Sequence, residues 1–263
     1  MKNLHPLLYG SLFLTLVGAL FTFTSCEKDA QVDESLTYSI DNYNRKSTPH
    51  FDSYIGFHNL NPKEIAEEHN EILNSVHLII SNDELLDLES AVKLLNINLS
   101  SEQRTDVFNW AIENDEEKNH IMICESLTES NSLNLYNEIL NEVEISENYE
   151  SLKANVSNLL KSANEDIKNE TDKKLINIYG QTCIASARYW MTEYDGDFID
   201  GESRADIINA DGKAAAGASI TWAVGAAMAS GPVAPLTYFV AVGLGAALGS
   251  LMASGGTSTT TGY

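Results

Sequence analysis

Apolar positions in this chain recur at intervals of three and four, and nowhere is there a sustained alternation of period two. Behind Asn61-Pro62, a cap residue followed by the proline favoured at a first helical position, Ile65, Ile72, Leu73, Val76, Ile79 and Ile80 fall on one helical face. Asn82-Asp83 is read as opening a second helix, with Leu85, Leu86, Leu88, Val92 and Leu95 apolar. Ser100-Ser101 opens a third, with Val107, Phe108, Ala111 and Ile112. Further helical patterns are expected over 117–127, 131–145, 149–167 and 172–194. From Asp195 to Gly212 the pattern lapses into Asp, Gly and Asn, which predicts a loop. The fold class is therefore all-α, a multi-helix bundle.

The pattern changes character after Lys213. No Asp, Glu, Lys or Arg follows it, and two apolar runs, Ala214–Ser230 and Leu236–Ser254, are separated by Gly231-Pro232-Val233-Ala234-Pro235. That spacer predicts a turn, and the runs a helical hairpin. In the first run Gly217, Thr221, Gly225 and Ala229 recur every four residues; in the second, Ala241, Gly245, Gly249 and Ala253 do the same. Such stripes let helix backbones approach closely. Gly217, Gly225, Gly245 and Gly249 are accordingly expected to mark the packing faces, as a glycine zipper in lipid or as a central pair inside a globular core.

The opposite end carries an address. A weakly positive start with Lys2 leads into an apolar stretch from Leu7 to Phe23 that is broken by Tyr9, Gly10, Ser11, Thr15, Gly18 and Thr22. It is short and polar-flecked for a spanning helix and reads as a signal-peptide core. Thr24-Ser25-Cys26 then resembles a lipoprotein cleavage box, with Phe23 in the place usually held by Leu. Residues 1–25 are thus expected to be removed and Cys26 to be lipidated, the fatty chains tethering the protein to a membrane; the alternative is an uncleaved anchor with an incidental cysteine. Glu27-Lys28-Asp29 and Asp33-Glu34 look like the acidic export tags of Bacteroidota surface lipoproteins, which puts the expected location at the cell envelope, in the outer membrane. The expected organisation is a signal peptide over 1–25, a tether over 26–47, an acidic helical body over 48–212, the hairpin over 213–254 and a flexible tail over 255–263.

Composition changes this picture in one respect. With 43% hydrophobic residues the 263-residue chain can build a sizeable core. Its net charge of −22 repels nucleic acid and anionic lipid, so neither is an expected partner of the body.

The segment Asn61-Pro62-Lys63-Glu64-Ile65-Ala66-Glu67-Glu68-His69-Asn70-Glu71-Ile72-Leu73 resembles the N-P-x-x-x-G-x-x-H-N-x-x-L stretch of a group of uncharacterised Bacteroidota lipoproteins, with Ala66 in the glycine position. Those proteins also end in small-residue hairpins after an acidic Ala-Asp region, as Asn209-Ala210-Asp211-Gly212 precedes the hairpin here. The resemblance implies a class and an address, and no activity.

Candidate chemistry is sparse. His69 and His77 share one helix face, and His58-Asn59 repeats the His69-Asn70 pair, but zinc ligands on a helix are usually three or four apart with a third donor. Capping or core histidines are the expected reading. His120 and Cys124 have the right spacing without a matching pair, and core packing is again expected. Beyond Cys26, only Cys124 and Cys183 remain; in an oxidising compartment they could form a disulfide or fill the core separately. The acidic segment Asp195–Glu202 supplies oxygens beside glycines, yet Ile199 and Gly201 break the spacing of a calcium loop. No nucleophile elbow, zinc-protease motif or phosphate loop is present, so no catalytic residue, metal or cofactor is assigned.

Two functions follow. One is a binding or structural lipoprotein with the hairpin buried in its own body or in a protein partner. The other is a membrane-active, toxin-like or pore-forming protein whose hairpin inserts and self-associates.

Overall fold

The computed structural model describes residue 57 and residues 59–82, 86–194, 203–228 and 235–253, with side chains described outside 222–239. Among them the protein is helical throughout, with no strand. The elements are α1 (Pro62–Asn82), α2 (Leu88–Leu94), α3 (Ser101–Glu113), α4 (Glu116–Ser126), α5 (Ser130–Ile145), α6 (Tyr149–Asp166) and α7 (Glu170–Arg188). A single π-turn (Tyr189–Glu193) follows, then α8 (Arg204–Met228) and α9 (Pro235–Ala253).

Local chemistry explains most boundaries. Asp87, Asp115 and Asn148 each accept a backbone N–H three residues on, capping α2, α4 and α6. Ser100 and Gln103 form a reciprocal capping box at α3: the Gln103 N–H donates to Ser100 Oγ at 3.2 Å and the Ser100 N–H to Gln103 Oε1 at 2.8 Å. α5 lacks a cap of its own. Asp172, buried in the first turn of α7, accepts from the Thr128 and Glu129 N–H groups at 2.9 and 2.8 Å, so one helix caps another.

Two expectations about boundaries are corrected. α2 begins after Asp87, not at Asn82-Asp83, because the Asp87 carboxylate takes the Ser90 N–H at 2.7 Å; residues 83–85 lie outside those described. More consequentially, α8 starts at Arg204, inside the segment read as loop, so the boundary drawn between 212 and 213 falls within a continuous helix. The Ser203 and Asp206 side chains explain the start. The Ser203 N–H donates to Asp206 Oδ2 at 2.9 Å, and the Asp206 N–H to Ser203 Oγ at 3.2 Å.

The pair α8 and α9, uncharged after Lys213, forms the centre of the bundle. α8 packs against α9, α7, α4 and α5, and α9 against α8, α1 and α3; α6 closes over α5 and α7. Every residue from 207 to 220 is buried, as is the run from 240 to 248. A helix covered on all sides needs no polar face, which accounts for the absence of an amphipathic period in these two elements. The outer helices keep theirs: α1 buries Ile65, Ile72, Leu73 and Val76 and leaves Lys63, Glu64, Glu67 and Glu71 exposed. No described helix is long and apolar enough to cross a membrane.

Candidate functional site

The most concentrated chemistry lies where α1, α7 and α8 meet. The inward face of α1 presents His69, α7 presents Ser186, the π-turn presents Trp190 and α8 presents Asp211, and all four side chains are buried. Asp211 Oδ2 accepts from the Ser186 hydroxyl at 2.5 Å and from Trp190 Nε1 at 3.3 Å, and stands 3.1 Å from His69 Nε2. The last contact has the distance of an ion pair without the alignment of a hydrogen bond. On the other side of the ring, His69 Nδ1 is 2.8 Å from Asn70 Oδ1, while Asn70 Nδ2 donates to the Ala185 carbonyl at 2.9 Å. Because the Asn70 oxygen can only accept, Nδ1 carries a proton, and the Nε2 contact with Asp211 is attractive when Nε2 is protonated as well. Asp211 Oδ1 has no partner among the described residues.

Serine, histidine and aspartate together invite a catalytic reading, but the connectivity opposes it. In a nucleophilic triad the hydroxyl gives its proton to the imidazole. Here Ser186 gives it to Asp211, so serine and histidine compete for one carboxylate oxygen instead of forming a relay. The cluster is a buried polar clamp that fastens α8 to α1 and to α7, and its worth is in fixing which side of α8 faces which neighbour.

A second cluster adjoins it. His77, two turns along α1, bonds through Nδ1 to the Tyr189 hydroxyl. It stacks on Tyr189 with ring centroids 5.6 Å apart, lies 5.3 Å from Tyr194 and meets the edge of Trp190 at 5.6 Å. Burial holds the His77 imidazole below its ordinary range. The two histidines singled out from the sequence thus connect through one indole, since Trp190 touches His77 with its ring and Asp211 with its N–H. His69 is fully buried and His77 half-buried. His58 and the acidic segment 195–202 lie outside the described residues, and among the described residues no three His, Cys, Asp or Glu side chains converge on a metal position.

No family model, curated protein or solved structure matches the chain. Its function therefore has to be argued from these contacts.

The disulfide weighed for Cys124 and Cys183 is not formed: both thiols are free. Cys183 is buried on α7, where its thiol donates to the Ile208 carbonyl at 3.7 Å and burial raises its pKa. Cys124, half-buried on α4, is 3.7 Å from His120 Nε2, and burial pushes its thiol up to about 11. Each sulfur has a separate local partner. Cys26 lies outside the described residues.

The described stripe glycines meet different neighbours. A Cβ at Gly249 would lie 2.6 Å from Ala214 Cβ and 3.3 Å from the Ala210 carbonyl oxygen; one at Gly245 would lie 3.2 Å from Ala218 Cβ and 3.1 Å from the Trp110 ring. The face of α8 under α9 is therefore Ala210, Ala214 and Ala218. Gly217 points elsewhere, and a Cβ there would meet Asn119 Oδ1 of α4 at 2.3 Å. Gly225 lies among the residues whose side-chain environment is not described. At the rim of this core Lys213, the last charged residue of the chain, reaches Glu116 of α4 at 2.6 Å.

Proposed function

We propose that this protein is a lipid-anchored helical module of the cell envelope, tethered through Cys26 to the outer membrane, whose body serves as a binding or structural unit. The observation that carries the reading is the placement of the uncharged hairpin. Its described arms are enclosed by α1, α3, α4, α5 and α7 and fastened by the His69–Asp211 clamp. A hairpin used as a core leaves the outer helices as the working surface. A membrane-active reading needs these arms to leave the body, breaking the clamp and the Lys213–Glu116 pair together. The Thr24-Ser25-Cys26 junction and the likeness of residues 61–73 to Bacteroidota lipoproteins support the address.

The test is metabolic labelling of cells with a clickable fatty acid. The wild type is expected to carry label and fractionate with membranes, and Cys26→Ser to do neither; equal labelling of both would remove the anchor from the account.

A further inference from the structure

The face of α4 that meets α5 presents a sulfur and a ring nitrogen that the buried clamp does not use. Cys124 and His120 are one turn apart, and Cys124 Sγ stands 3.7 Å from His120 Nε2. The other ring nitrogen, Nδ1, is 2.8 Å from the hydroxyl of Tyr136, which is fully buried on α5. We propose that His120 and Cys124 form a two-donor chelate for a zinc-like divalent cation, with water in its remaining positions.

Geometry favours this class of ion. Zinc–sulfur and zinc–nitrogen bonds of about 2.3 and 2.0–2.1 Å sum to more than the separation of the two donors, so one ion reaches both at a bent angle near tetrahedral. An ion that demands a linear pair would have to push them apart. The ring can be held as a ligand is: when Nδ1 carries the proton and donates it to the Tyr136 oxygen, Nε2 keeps its lone pair on the side of the sulfur. Both donors are half-buried, within reach of solvent. No third protein donor converges among the described residues, which is why water completes the shell. Binding turns the neutral thiol into a metal-bound thiolate and releases one proton to solvent, with no change of oxidation state. Affinity therefore rises with pH.

The full-length protein, kept reduced, is titrated with cobalt(II) chloride as a spectroscopic stand-in, followed by displacement with zinc chloride. A thiolate-to-cobalt charge-transfer band is expected in the wild type and in Cys183→Ser, and is expected to be lost in Cys124→Ser. Half-saturation should weaken by about ten-fold or more in His120→Gln and about ten-fold in Tyr136→Phe. A wild type without the band, or the same band in Cys124→Ser, overturns the proposal. A second measurement is independent of how the variants fold. Zinc should slow iodoacetamide alkylation of Cys124 in the wild type by about ten-fold, located by peptide mass spectrometry. An unchanged rate at Cys124 overturns the proposal as well.

Discussion

Asp211 is the residue on which the arrangement of α8 depends. Three side chains from two helices and the π-turn converge on its Oδ2, and removing the carboxylate takes the hydrogen-bond acceptor from Ser186 Oγ and Trp190 Nε1 and the close carboxylate from His69. Asp211→Ala is expected to cost about 3–5 kcal/mol in urea denaturation. Lys93→Ala, which removes a pair whose partners are each about half exposed, should stay within about 1 kcal/mol. His77 supplies a pH dependence with a definite sign. Its folded pKa lies below the ordinary 6.5, so on acidification the unfolded chain takes the proton first. Stability is unaffected by this group well above 6.5 and falls as pH drops below it, until the folded pKa is passed. His120 acts in the same direction, through burial and then Lys213. The melting temperature should therefore decline from about pH 7 to about pH 5.5, and His77→Phe should flatten that decline; an equal slope in both proteins would remove His77 from the explanation. None of this was legible locally. His69 could be read as a core histidine from its place on the apolar face of α1, but no pattern in the sequence indicates that its partner stands on the far side of the chain.

Among the elements, legibility followed the source of each boundary. Asn61-Pro62 and Ser100-x-x-Gln103 announce α1 and α3 because their caps are made by neighbours in sequence. Ser203-x-x-Asp206 is a signal of the same kind and does open α8, but the Asp, Gly and Asn residues on both sides of it carry the composition of a loop. The start of α5 is legible to within a residue from the apolar period of 131–145, although the carboxylate that fixes it, Asp172, belongs to another helix. The small-residue stripes predicted close helix approach, but periodicity does not identify which neighbour a stripe will meet. Gly249 and Gly245 provide the test. A methyl at Gly249 would collide with Ala214 Cβ at 2.6 Å, an atom that cannot swing aside without moving backbone, whereas at Gly245 the nearest atoms are at 3.1 and 3.2 Å. Alanine gains up to about 1 kcal/mol of helix propensity at either site. Overpacking costs about 1–3 kcal/mol and outweighs that gain at Gly249 alone. Gly249→Ala should be destabilising and Gly245→Ala close to neutral by thermal melting, and the reverse order would contradict the register assigned to α8 and α9.

For the molecule as a whole, the composition of the tail and its position are one fact. Residues that carry no charge after Lys213 suit the enclosed positions described at 214–220 and 240–248, and the acidic helices around them suit water. All-α architecture was readable because helical period survives in each outer element. The choice between a buried and an inserted hairpin was not readable, because a sequence without a polar face fits either medium. Hydrogen exchange of the full-length protein, read by peptide mass spectrometry with and without anionic lipid vesicles, addresses that choice directly. Peptides covering 207–220 and 240–251 should be among the slowest to exchange in buffer, opening only with the whole domain, and vesicles should leave them unchanged. Rapid exchange of those peptides in buffer, with protection appearing only when vesicles are added, would show that the hairpin belongs to the membrane and contradict the core described here.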